Sequence, residues 1–207
     1  IIAPMVVTEI ESIALIVLLA GPALPGSQIL LDQNEKSMRL QGVAEPAIET
    51  RLSYLHHIFQ ILQDHPDDVV AQEKIKEALI QVYGPGFSEE KMDDEAKAWT
   101  SPWIRFFVLY DPGPTLGQVT CPVLALFGEL DVQVDAKQNL PVMETILEQA
   151  GHIGYLVQEL PELNHLFQCA QTGAVEEYIQ IEETFSPAAL DLIGTWVLER
   201  FFVDVEH

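Results

Sequence analysis

The 207 residues carry 32 Asp and Glu against 10 Lys and Arg, a net charge of −22, and 48% of them are apolar. So acidic a chain repels phosphate backbones and anionic lipids, which excludes nucleic acid and membrane surfaces from the expected partners. The apolar fraction excludes a disordered tail, and no uninterrupted apolar run approaches the ~18 residues of a membrane span.

The chain opens Ile1-Ile2-Ala3-Pro4 without an initiator Met. We expect that residues upstream were removed or lie outside this sequence, so a signal segment, and with it the compartment, is not legible. Residues 1–10 are apolar without period-2 alternation and read as the tail of a buried helix. Ile13-Ala14-Leu15-Ile16-Val17-Leu18-Leu19 is a continuous branched run closed by Gly21-Pro22. That composition predicts a strand buried on both faces, as in a parallel sheet.

From about Ser27 to Gln118 the pattern turns helical. Ile48, Leu52, Leu55, Phe59 and Leu62 recur at steps of four and three and make one apolar stripe. A second helix is expected from Pro66, with Ala71, Ile75, Leu79 and Val82 on one face until Gly84-Pro85-Gly86 stops it. A charged third helix follows Ser88, and a short fourth one runs from Trp103 to Tyr110. No strand is predicted here, so 27–118 reads as a helical insert. His56 and His57, beside the first stripe, read as packing or surface residues.

Strand signals return at Cys121-Pro122-Val123-Leu124-Ala125-Leu126-Phe127, closed by Gly128. Leu140, Met143, Ile146, Leu147 and Ala150 predict a helix, 153–157 a third strand, and Ser186-Pro187 caps a last helix with Leu190, Ile193, Val197 and Phe201 on one face. Strand, helical insert, strand, helix, strand, helix is α/β order with a parallel sheet. Cys121 and Cys169 read as reduced thiols, since neither has metal-ligand spacing. His65, His152 and His207 have no supporting context.

Ligands and reacting groups of an open parallel sheet gather at the carboxyl ends of its strands. Two such ends carry Gly128-Glu129-Leu130-Asp131 and Leu163-Asn164-His165-Leu166-Phe167. Asp131 and His165 are the candidate pair: a carboxylate that fixes the tautomer of an imidazole and stabilises its protonated form. Glu129 reads as a solvated strand-end acid. Cys169 lies one helical turn beyond His165 and reads as a structural thiol.

The strand-and-acid phrase 121–131, the histidine loop 163–168 and the run Glu183-Thr184-Phe185-Ser186-Pro187 resemble serine hydrolases of the α/β-hydrolase fold, in their bacterial esterase-like and peptidase-like members. Ser101-Pro102-Trp103-Ile104-Arg105, with Tyr110-Asp111-Pro112, is similar to the return from their helical cap. The resemblance implies a partial α/β-hydrolase core over 1–26 and 119–207, comprising the sixth to eighth strands, and a cap insert over 27–118. It implies Asp131 and His165 as triad members in the family's order, a small ester or acyl substrate, and no metal or organic cofactor. Trp103, Arg105 and Phe106 would line the substrate pocket under the cap, with Arg105 alternatively anchoring the cap to an acid. The G-x-S-x-G turn that carries the family's nucleophile would fall just before Ile1, and no serine of this chain stands between a flanking glycine pair. A chain that folds without that half should instead be an inactive binding module, homodimeric through the edge strand 13–19, with an apolar ligand under the cap.

Overall fold

A computed structural model describes residues 1–10 and 12–202, the last two by backbone alone. The side chain of Phe201, and His207 entirely, lie outside the described residues. In chain order the elements are α1 (Ile2–Glu9), β1 (Ile16–Leu19), α2 (Gly26–Leu40), α3 (Glu45–Asp64), α4 (Asp68–Tyr83), α5 (Glu89–Trp99), α6 (Pro102–Leu109), α7 (Gly113–Leu116), β2 (Val123–Gly128), α8 (Ala136–Gln149), β3 (Tyr155–Leu160), a 3₁₀ helix (Val175–Gln180) and α9 (Pro187–Phe202). The protein is α/β, with a three-stranded parallel sheet in the order β1-β2-β3. It divides into a sheet unit, 1–24 with the residues from Pro112 onward, and a helical unit, Pro25–Asp111.

In the sheet unit β2 is central, and every one of its six residues is buried. Its branched and aromatic side chains fill both faces, which is why the run lacks alternation. Val123 pairs with Tyr155 and Gly128 with Leu160 on one side, while Ile16 pairs with Val123 on the other. α8 packs on β2 and β3 through Met143 and Leu147, and Asp135 caps its N-terminus at the Lys137 amide, 3.3 Å away. Asn139 on α8 is fully buried; its Oδ1 accepts the Ala23 amide at 2.9 Å and so ties down the loop leaving β1.

Several expectations need correction here. β1 is four residues long, and Leu19 is exposed, because the strand pairs on one side only among the described residues. α1 buries only Pro4 and Val7 and leaves Ile2, Val6 and Ile10 open. β3 starts at Tyr155, beyond the fully exposed Ile153, and extends to Leu160 through Gln158 and Glu159, whose polarity hid the strand. α9 buries Ala189 and Trp196, whereas Leu190 faces solvent. Arg200 lies 3.7 Å above the Trp196 ring, a cation–π contact that covers the outer face of this buried aromatic. α7 packs on α1 and α8 and so belongs to the sheet unit.

The helical unit is built on α3 and α4. Ile48, Leu55, Phe59 and Leu62 are buried as the stripe predicts, and Ala71, Ile75 and Leu79 meet that face; Val82 is exposed. α4 begins at Asp68 rather than Pro66, because Asp67 caps it by accepting the Val69 and Val70 amides at 2.9 and 3.1 Å. The periodicity above does not predict α2, whose 15 residues bury only Gly26 and Ile29. Gly26 is required there, since a Cβ would sit 1.8 Å from the Phe107 carbonyl oxygen of α6.

Candidate active site

The loop after β2 continues the sheet's hydrogen bonding before it turns. Glu129 N–H donates to Leu160 O at 2.9 Å and Leu130 N–H to Leu163 O at 2.9 Å, so the acid loop is laced to the chain leaving β3. Gly128 lets the two backbones meet: a Cβ there would lie 2.3 Å from Leu163 O and 2.7 Å from Asn164 O. One residue after this lacing the carboxylate of Asp131 is fully enclosed. Its Oδ1 accepts the backbone N–H groups of Gln133 and Val134 at 2.7 and 2.9 Å, which compensates the loss of water around a buried charge.

The histidine loop is organised by Asn164, which is fully buried. Its Oδ1 accepts the Leu166 and Gln168 amides at 2.9 and 3.0 Å, and its Nδ2 donates to Gln168 Oε1 at 2.9 Å. An asparagine so used replaces the backbone partners that a tight loop lacks. Two non-glycine residues take positive φ here, Glu162 and Phe167, both at 58°. Backbone conformations of that kind cost of order 1–3 kcal/mol and persist only where the surroundings over-determine them. Glu129 is not merely solvated: its Oε2 accepts the Glu162 amide at 3.0 Å and supports the first of these turns.

These two loops bring Asp131 and His165 together. Asp131 Oδ2 lies 2.8 Å from His165 Nδ1. A carboxylate only accepts, so Nδ1 carries the proton and Nε2 is the basic nitrogen. Nε2 makes no hydrogen bond among the described residues, and the imidazole is about a quarter exposed, at 27%. The arrangement can take a proton at Nε2 from a hydroxyl or water, and can return it to a departing group. Gln133 adds a contact that sequence reasoning missed, its Nε2 donating to the Tyr178 hydroxyl at 3.1 Å. Neither residue stands out in the sequence, because Tyr178 falls in an acidic stretch without periodicity.

The other predicted residues belong to the helical unit. Trp103 is half exposed and heads an aromatic row on α6, with its ring centroid 5.8 Å from that of Phe106, which stacks on Tyr110 at 5.0 Å. Arg105 is engaged as an anchor: Nη1 donates to Leu62 O and His65 O at 2.8 and 3.1 Å, and Nη2 lies 3.0 Å from Asp68 Oδ1. It thereby closes the C-terminus of α3 against the start of α4.

Cys169 is not on a helix with His165 but pairs across a β-bridge with Leu163. Burial, and then the charges of Glu183 and Glu162, push its thiol above the usual range, which disfavours the thiolate a nucleophile needs. Among the described residues no cluster of His, Cys, Asp and Glu is arranged to hold a metal ion. Among them, too, no helix is long and apolar enough to cross a membrane. No protein-family model matches the chain, and neither does a curated protein or a solved structure.

Proposed function

We propose that this chain is the acid-and-histidine portion of a serine hydrolase of α/β-hydrolase type, acting on carboxylic ester or related acyl bonds. The observation that carries the reading is the 2.8 Å contact between enclosed Asp131 Oδ2 and His165 Nδ1, which leaves Nε2 free to work. In this reading β1, β2 and β3 are the sixth to eighth strands of the larger sheet, and the helical insert is the cap. The serine and the oxyanion donors come from residues outside this sequence.

The geometry supports the following roles in this reading. His165 Nε2 takes the serine proton as the hydroxyl oxygen attacks the acyl carbon. Asp131, positioned by the two amides on Oδ1, stabilises the imidazolium. The imidazolium then protonates the leaving alcohol or amine, and water repeats the sequence to release the acid. Fluorophosphonate labelling of the natural full-length protein tests this. The expected outcome is one labelled serine, lost in H165A and slowed on the order of 10⁴-fold in D131N; an unlabelled wild type would sink the reading.

One observation favours a second reading. On the open side of β1, parallel geometry turns the backbone groups of Val17 and Leu19 outward, beside the exposed Leu19 side chain. A chain working alone would pair this edge across a two-fold axis, as an inactive dimeric binding module for an apolar ligand. Light scattering at low micromolar concentration separates the two: a monomer speaks against the dimer.

A further inference from the structure

After the histidine loop the chain doubles back over the acid loop. Residues 171–173 form a turn against Leu130, so close that a Cβ on Gly173, which has φ of 74°, would lie 1.8 Å from the Leu130 carbonyl oxygen. The 3₁₀ helix then begins at Val175, and the carboxylate of its Glu177 binds this turn. The Gln171 amide reaches Oε1 at 2.8 Å, while Oε2 takes the Thr172 and Gly173 amides at 3.1 and 3.0 Å and the Thr172 hydroxyl at 2.9 Å. Four donors on one carboxylate make a rigid buckle.

The next residue is Tyr178. Its phenol oxygen accepts Gln133 Nε2 at 3.1 Å, and the backbone of His165 lies beside the same phenol. Gln133 in turn donates its own backbone N–H to Asp131 Oδ1, and Asp131 Oδ2 holds His165 Nδ1. The contacts close a circuit through Asp131, Gln133, Tyr178 and His165. Burial keeps the phenol above its usual range, so the oxygen stays a neutral acceptor beside the carboxylate.

We propose that Tyr178 is a positioning residue for His165: buckled in place by Glu177, it joins the histidine loop to the acid loop and holds the imidazole in register with Asp131. The proposal rests on the reading of Asp131 and His165 as a working pair. Its mechanism is geometric. Asp131 fixes the imidazole from one side, and Tyr178 joins the loop carrying His165 to the acid loop through Gln133. Without that phenol oxygen Gln133 Nε2 loses its acceptor and the His165 backbone loses a polar neighbour, and the loop gains freedom at the position where proton transfer needs it least.

Proton NMR of the natural full-length protein tests the proposal without any substrate. The wild type should show a low-field imidazole proton from His165 Nδ1–H, absent in H165A and in D131N. In Y178F, and again in Q133A, that proton should exchange with water at least about fivefold faster, while the amides of β2 and β3 exchange as in the wild type. Unchanged exchange in both variants overturns the role of Tyr178. Should Y178F fail to fold, Q133A alone decides, since it removes one bond of the same circuit and leaves the ring in place. No low-field proton in the wild type would instead defeat the Asp131–His165 pair itself, so the two failures are distinguishable.

Discussion

At the scale of single residues, the candidate site depends on where backbones may touch. Gly128 is the clearest case, because any side chain there would collide with the carbonyls of Leu163 and Asn164. In G128A the histidine loop must therefore retreat from the acid loop. We expect a loss of about 2–4 kcal/mol in denaturant unfolding, with the 2.8 Å contact at His165 lengthened or broken. Wild-type stability in G128A would contradict the tight approach. Asp131 and His165 were legible as a candidate pair because strand-end motifs concentrate chemistry in a few positions, whereas Gly128 read only as the end of a strand and its close approach to Leu163 did not show. Gln133, Asn164 and Tyr178 were not, since each acts through hydrogen bonds closed by tertiary folding. An asparagine or tyrosine in a loop has no local pattern that reveals its partner. The placement of Cys169 one helical turn beyond His165 was wrong for the same reason, since the segment is a loop in which a β-bridge pairs Cys169 with Leu163.

Elements were read best where burial is continuous along a stripe or a run. α3, α4 and the all-buried β2 follow from stripe and run, whereas α2 escaped because its apolar content is low and only its N-terminal turn is buried. β3 was shifted by two residues at its start, where an isoleucine in the chain signals a strand but stands exposed on a turn. The strap over the acid loop offered no periodicity at all. It does carry a pH dependence of definite sign. Hydrogen bonds, the Gln171 amide first, hold the Glu177 carboxyl below its usual value of 4.5. A lowered value in the folded state means that the buckle is fully formed above pH 4.5 and is lost as pH falls through the lowered value. Protection of the Gln171, Thr172 and Gly173 amides, measured against their intrinsic exchange rates, should therefore fall only in acid, while E177Q should lower it at neutral pH as well. Fast exchange at pH 7 in the wild type would contradict the buckle.

For the whole molecule, 32 acids against 10 cations mean that the folded state works against its own charge. Raising ionic strength from about 0.01 M to about 1 M shortens the screening length from about 30 Å to about 3 Å. The melting temperature should rise by several degrees over that range, followed by circular dichroism; a flat response would mean that local pairing already neutralises the acids. The order of the strands along the chain has a consequence for how the molecule assembles. β2, α8 and β3 are consecutive, so the segment that unites Asp131 with His165 closes a short loop and can condense early. β1 must instead find Ile16's partner Val123 after the helical stretch Pro25–Asp111 has intervened. Low separation in the chain favours fast contact formation. We therefore expect Asp131 and His165 to lie in the part of the sheet that forms first, and β1 to dock last.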